Sequence, residues 1–166
     1  MDYQFYLDKF QASANLIDTK ILEEKNILLN VGVVLDSVFL KLYKKEWTND
    51  LEDPLNAKTR IFFSIWVNDH TLNNRKIYYN IHALKLRNLK GYSITSRNFA
   101  EIFRLHFKDF ENNWENVSLK HGPLTLMEGW KNLEEENMKN TIVNLANNFL
   151  EIEYLINETL EKFKNK

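Results

Sequence analysis

The chain contains no cysteine, two prolines and four glycines. Without cysteine there are no disulfides, no thiolate nucleophile and no cysteine-ligated zinc, and a reducing compartment suits it. Gly32, Gly91, Gly122 and Gly129 are scattered. No phosphate-cradling glycine loop and no G-x-S-x-G elbow can be assembled from them. The longest apolar run, Ile27 to Leu35, falls far short of the roughly 20 residues that cross a bilayer. Asp2 comes early and no basic-then-apolar pattern follows, so the expectation is no signal peptide, no membrane association and a cytoplasmic location. No two of His70, His82, His106 and His121 have the i, i+4 spacing that sets two imidazoles on one helix face for zinc. Neither a metal nor another cofactor is expected.

Acid is missing locally. From His70 to Ala100 there are Arg75, Lys76, Lys85, Arg87, Lys90 and Arg97 but no Asp or Glu, although the whole chain carries a net charge of −1. The acids gather in Glu46–Asp53 and along Glu134–Glu161. Such asymmetry bears on partners and not on fold.

What is present is an ordinary globular composition at a one-domain length, 1–166, with an unusually aromatic core supply of 13% Phe, Trp and Tyr. Tyr3, Tyr6, Phe10, Ala14, Ile17 and Ile21 predict a helix over 3–24. Residues 27–47 are ambiguous: a helix fits 27–35 and a strand fits Val38–Trp47, because Leu28, Val31 and Leu35 are helically spaced whereas Leu40 and Leu42 alternate. The firmest element is a hairpin. Arg60–Asn68 and Lys76–Leu86 alternate around NDHTLNNR and pair Trp66 with Tyr78, Ser64 with Asn80 and Phe62 with His82. The slip at Ala83–Leu84 predicts a bulge. Ser96 caps a helix over 97–111 with Phe99, Phe103 and Phe107 inward and Arg104 outward. A short strand is expected at Val117–His121, with GPLTLMEGW looped. A long final helix is expected over 133–163, opened by Asn132 and Glu135 and striped by Met138, Ile142, Leu145, Phe149, Ile152 and Ile156. At 1.5 Å per residue it would span about 45 Å, so it should pack on another long helix of this chain or of a second copy. The fold class is α+β, an antiparallel meander of three to four strands with a helix on one face and long terminal helices.

The functional candidates lie on one side of the hairpin. Phe62, Trp66, Tyr78 and His82 would share a sheet face, with Lys85, Arg87 and Lys90 beyond the bulge. Phe39, Lys41, Tyr43, Lys45 and Trp47 would join that face from the preceding strand. Aromatics interleaved with cations can stack bases and pair phosphates. The plainer alternative is a second packed layer under a helix or a partner, with Lys41 and Lys45 merely discouraging edge pairing. The acids Glu46, Asp50, Glu52 and Asp53 look like a solvated loop, and His106 like a core histidine. The expected role is a small non-enzymatic protein-interaction or accessory protein that binds another protein or its own copy. The alternative is a nucleic-acid-binding module, and a third is an enzyme whose scattered site would gather His82, His121 and an acid.

Overall fold

The computed structural model describes all 166 residues. Its centre is a five-stranded sheet in the order β1-β2-β3-β4-β5: Leu28–Val34, Ser37–Tyr43, Arg60–Val67, Lys76–Leu84 and Thr125–Asn132. Every neighbouring pair is antiparallel. The α+β class and the meander are therefore present, with two strands that sequence periodicity placed elsewhere.

The first of these is β1, read as helix. Its residues pair across their whole length with β2, and Gly32 faces Phe39. A Cβ on Gly32 would lie only 3.1 Å from the Phe39 ring, so the glycine is a floor for an aromatic side chain. The second is β5, which occupies GPLTLMEGW. Gly129 pairs with Tyr79, and its missing side chain lets the phenol cross the strand and donate to the Glu115 carbonyl at 2.6 Å. Residues 117–121 make only an isolated bridge, Ser118 to Glu128, and form no strand.

The hairpin pairs as expected, Trp66 with Tyr78, Ser64 with Asn80 and Phe62 with His82. Its connection contains a short helix, α3 (Asp69–Asn73), closed by reciprocal bonds between Asn68 and Thr71. The register shift falls between Ile81 and His82 on the β5 side, two residues earlier than the pattern indicated. Lys85, with φ of 51°, turns the chain out of the strand.

Helices cover one sheet face. α1 (Tyr3–Ala14) and α2 (Thr19–Glu24) replace the single helix read over 3–24, since Asp18 starts a new turn by accepting from the Lys20 amide. α4 (Ser96–Phe107) is capped by Thr95, whose hydroxyl accepts from the Asn98 amide; Ser96 is already helical. Phe99, Phe103 and Phe107 are fully buried along it. Arg104 is not an outward charge. Its guanidinium donates to the carbonyls of His121, Gly122, Thr125 and Leu126 and so ties the loop before β5 to the helix.

The final helix is shorter than read and is divided into α5 (Met138–Ile152) and α6 (Tyr154–Glu161). Asn132 and Glu135 do not cap it. The hydrogen-bond ladder breaks at Glu153, which keeps a helical backbone. This buried carboxylate lies 3.0 Å from the Lys44 ammonium and 3.5 Å from Lys25. A buried acid needs such partners, and they fix the point where the helix yields. The α5 stripe packs on α1 and β3 of its own chain, with the Phe149 ring stacked on Phe63 at 4.5 Å. No helix is long and apolar enough to cross a membrane.

Candidate functional site

β3 and β4 bury their two faces for different reasons. On the helix side, Ile61, Phe63, Ile65, Val67, Ile77, Tyr79, Ile81 and Ala83 are all inaccessible to solvent. On the other side, the strands and their turns leave a groove of about 430 Å³ that no helical residue lines. The side chains there are buried largely by one another.

That face is built in rows running across the strands. Gly32, Phe39, Trp66, Tyr78 and Trp130 form an aromatic row. The adjoining row, Asn30, Lys41, Ser64, Asn80 and Glu128, is polar throughout. The third includes Phe62, His82 and Thr125. Sheet pairing places opposite side chains about 5 Å apart, so the polar row lies between two aromatic ones. Trp66 and Tyr78 are tilted against each other at 5.1 Å, as are Phe62 and His82 at 5.4 Å.

Most of the polar row is satisfied internally. Ser64 donates to Asn80 at 2.6 Å, and Asn80 donates to Glu128 at 3.3 Å. Asn30 accepts from the Tyr43 hydroxyl. Lys41 is the exception. It is 8% exposed, and its ammonium sits 4.5 Å from the Phe39 ring centre and 4.6 Å from that of Phe62. It forms no hydrogen bond, and no carboxylate lies within 4 Å of it. Burial, helped by the nearby Arg60, lowers its pKa to about 8. Arg60 approaches the same Phe62 ring and donates to the carbonyls of Leu55 and Ala57, while its buried Nε has no partner. Burial also holds its pKa below the usual guanidinium range.

His82 lines this groove with its Nδ1 near the Leu124 carbonyl at 3.3 Å and the Thr125 hydroxyl at 3.1 Å. A carbonyl only accepts, so the Leu124 contact is a hydrogen bond in the tautomer protonated on Nδ1, whereas the Thr125 hydroxyl can pair with either tautomer. Burial outweighs the Leu124 bond and the Glu128 charge and lowers the His82 pKa, favouring the neutral form.

The structure thus brings Phe62, Trp66, Tyr78 and His82 onto one face, with Asn80 and Ser64 between them. Lys85, Arg87 and Lys90 are exposed in the segment after β4 and do not line the groove. Trp47 leaves the face altogether. The short turn Lys45–Trp47 carries it to the helix side, where it is fully buried and donates to Asn157 at 2.7 Å. Lys41 is no edge guard, because β2 is an inner strand. His121 is held away by Arg104 and does not join His82. The acidic loop folds on itself, Asp50 accepting from the Glu52 and Asp53 amides. No three His, Asp or Glu side chains are grouped as a metal-binding set.

Two features escaped the sequence reading. Arg60 shares the strand phase of Phe62, Ser64 and Trp66, but its folding against Leu55 and Ala57 depends on the long loop before β3 and does not follow from alternation. The other is Leu35, at the first of the two turn positions between Val34 and Ser37. It is 92% exposed, lines the groove mouth with Val34, and has φ of 51°. Glycine, asparagine or aspartate takes that left-handed conformation far more easily than leucine. No family model, no curated protein and no solved structure matches this chain.

Proposed function

We propose that this chain is a non-enzymatic interaction protein that receives a segment of a partner polypeptide on the uncovered face of its sheet. The observation that carries this reading is Leu35. An almost fully exposed leucine held in a disfavoured backbone conformation costs stability, of the order of 1 kcal/mol or more. Its place at the mouth of an uncovered aromatic groove gives that cost a use. Val34 beside it is 47% exposed and lines the same groove, so Val34 and Leu35 give the lip an apolar surface of the kind that marks contact sites.

Nucleic acid is the weaker reading. Lys41 already occupies the ring faces of Phe39 and Phe62, which leaves Trp66 and Tyr78 as stacking platforms. The exposed cations Lys85, Arg87 and Lys90 lie outside the groove.

Because the chain has no cysteine, Val34→Cys can carry a single environment-sensitive fluorophore at the lip. A pool of acidic, leucine-containing peptides should shift its emission to the blue, and Leu35→Asp should abolish that shift without loss of fold. A random single-stranded oligonucleotide should leave the emission unchanged. Oligonucleotide binding that weakens steeply with salt, with a slope of about 0.7 per phosphate, would move the assignment to nucleic acid.

A further inference from the structure

We infer that Lys41 and Arg60 form a subsite for a carboxylate of the polypeptide partner, a reading that rests on the function proposed above. Charges removed from water are ordinarily paired or hydrogen-bonded. Here the buried Lys41 and the partly buried Arg60 both approach one ring, Phe62, on the same groove, and no carboxylate of the chain lies within 4 Å of either. Ring faces compensate an ammonium only in part.

The geometry selects among anions. Arg60 donates through one terminal nitrogen to the carbonyls of Leu55 and Ala57, which fixes the guanidinium; its Nε is buried, and its second terminal nitrogen makes no hydrogen bond within the chain. A carboxylate in the groove can accept from that terminal nitrogen or from the Lys41 ammonium. Glu128, on β5, already accepts from Asn80 and stands three strands away from Lys41, about 14 Å at ordinary strand spacing. It is too far to neutralise the pair. Phe39, Phe62 and the Val34–Leu35 lip surround the cations with apolar surface. The ligand is therefore a carboxylate with an apolar side chain beside it.

Four small probes added to the ¹⁵N-labelled full chain separate the outcomes by NMR. They are N-acetyl-leucine, its neutral analogue N-acetyl-leucinamide, the α-amide of N-acetyl-glutamate, and inorganic phosphate. The expected result is that a carboxylate probe shifts the Arg60 Nε resonance and the Phe39 and Phe62 amides, and binds at least about tenfold tighter than leucinamide, as charged hydrogen bonds allow. Lys41→Met and Arg60→Met should each remove that advantage and leave leucinamide binding unchanged. N-acetyl-leucine binding tighter than the glutamate amide assigns a chain terminus. The reverse order assigns an internal acidic residue, and either order supports the subsite. Leucinamide binding in the groove as tightly as the acids would overturn the subsite and leave the interaction face standing. Phosphate matching the carboxylates would overturn the carboxylate assignment. If no probe perturbs the groove, both the subsite and the interaction face fail. The comparison of acid with amide uses the unaltered chain, so it holds even if a variant folds poorly.

Discussion

The two faces of β3 carry the same kind of side chain to opposite ends. Phe63 on one face stacks on Phe149 and meets Trp114 edge-on, inside a dry layer of strands and helices. Phe62 on the other face is nearly as buried, at 6% exposed, but its neighbours are Lys41, Arg60 and His82. Burial alone therefore does not distinguish core from site. The distinction lies in what the buried groups still lack. On the helix face the passing phenol of Tyr79 reaches a carbonyl, and the one neutral group left without a partner is the Trp114 indole nitrogen. The groove face keeps an ammonium without an anion, an unpartnered guanidinium nitrogen and an exposed leucine in a strained turn. A face that served stability alone would have no reason to keep them.

Substitutions can break this comparison in order of size. Phe63→Ala should cost about 3–5 kcal/mol, the usual price of emptying a packed aromatic site, and Phe103→Ala should cost about the same. A denaturant midpoint barely moved by either would contradict the dry layer. Gly129→Ala comes next, since its Cβ would run into the Tyr79 hydroxyl and lie 3.0 Å from the Val117 backbone. Overpacking there should cost about 1–3 kcal/mol.

On the groove face the signs reverse. Leu35→Asn should raise the midpoint by about 1 kcal/mol, because Asn relieves the left-handed turn. It should also weaken peptide binding at the lip. Lys41→Met should be more stable than the wild type at neutral pH, since it replaces an uncompensated cation by a side chain of similar shape. The sign follows from the Lys41 pKa, lowered from 10.5 to about 8. Below pH 8 both folded and unfolded chains are protonated, and the wild type bears the full cost. Between about pH 8 and 10.5 the unfolded chain binds more protons, so wild-type stability rises with pH. The advantage of Lys41→Met should narrow across that window in parallel chemical denaturations, and a constant difference would contradict it. The smallest effect belongs to Lys85→Ala, Arg87→Ala and Lys90→Ala. Each should stay within about 0.5 kcal/mol in stability and leave the groove unaltered, as exposed cations do.

Much of this was readable from residue order. The β3–β4 pairing followed from alternation, and the buried phenylalanines of α4 from their i, i+4 spacing. What was not readable depends on contacts distant in sequence. The helical spacing of Leu28, Val31 and Leu35 favoured helix over 27–35, although Gly32 counts against one; that glycine is the floor for Phe39 in β1. Gly129 looked like loop punctuation and is the passage for Tyr79, so β5 was missed. The hydrogen-bond ladder of the final helix is interrupted where Glu153 meets Lys44 and Lys25, over a hundred positions earlier. For the site, alternation brought Phe62, Trp66, Tyr78 and His82 together. Continuing that phase carried Trp47 to the wrong face, because a three-residue turn ends the strand before it. The basic run after β4 drew attention by charge density, yet Leu86 and Leu89 turn inward there while Lys85, Arg87 and Lys90 face solvent. Alternation placed Lys41 on this face, but its lack of an acidic partner shows only once the strands are paired.

The central claim is that the Phe62–Trp66–Tyr78 face stands open to receive a partner. The four tryptophans divide cleanly on this point. Trp47 and Trp114 are buried under the helices, whereas Trp66 and Trp130 are half-exposed on the groove face. Labelling with 5-fluorotryptophan and adding a soluble gadolinium chelate should broaden the ¹⁹F resonances of Trp66 and Trp130 and spare those of Trp47 and Trp114. Four protected resonances would mean that the face is closed in solution, and would contradict the account.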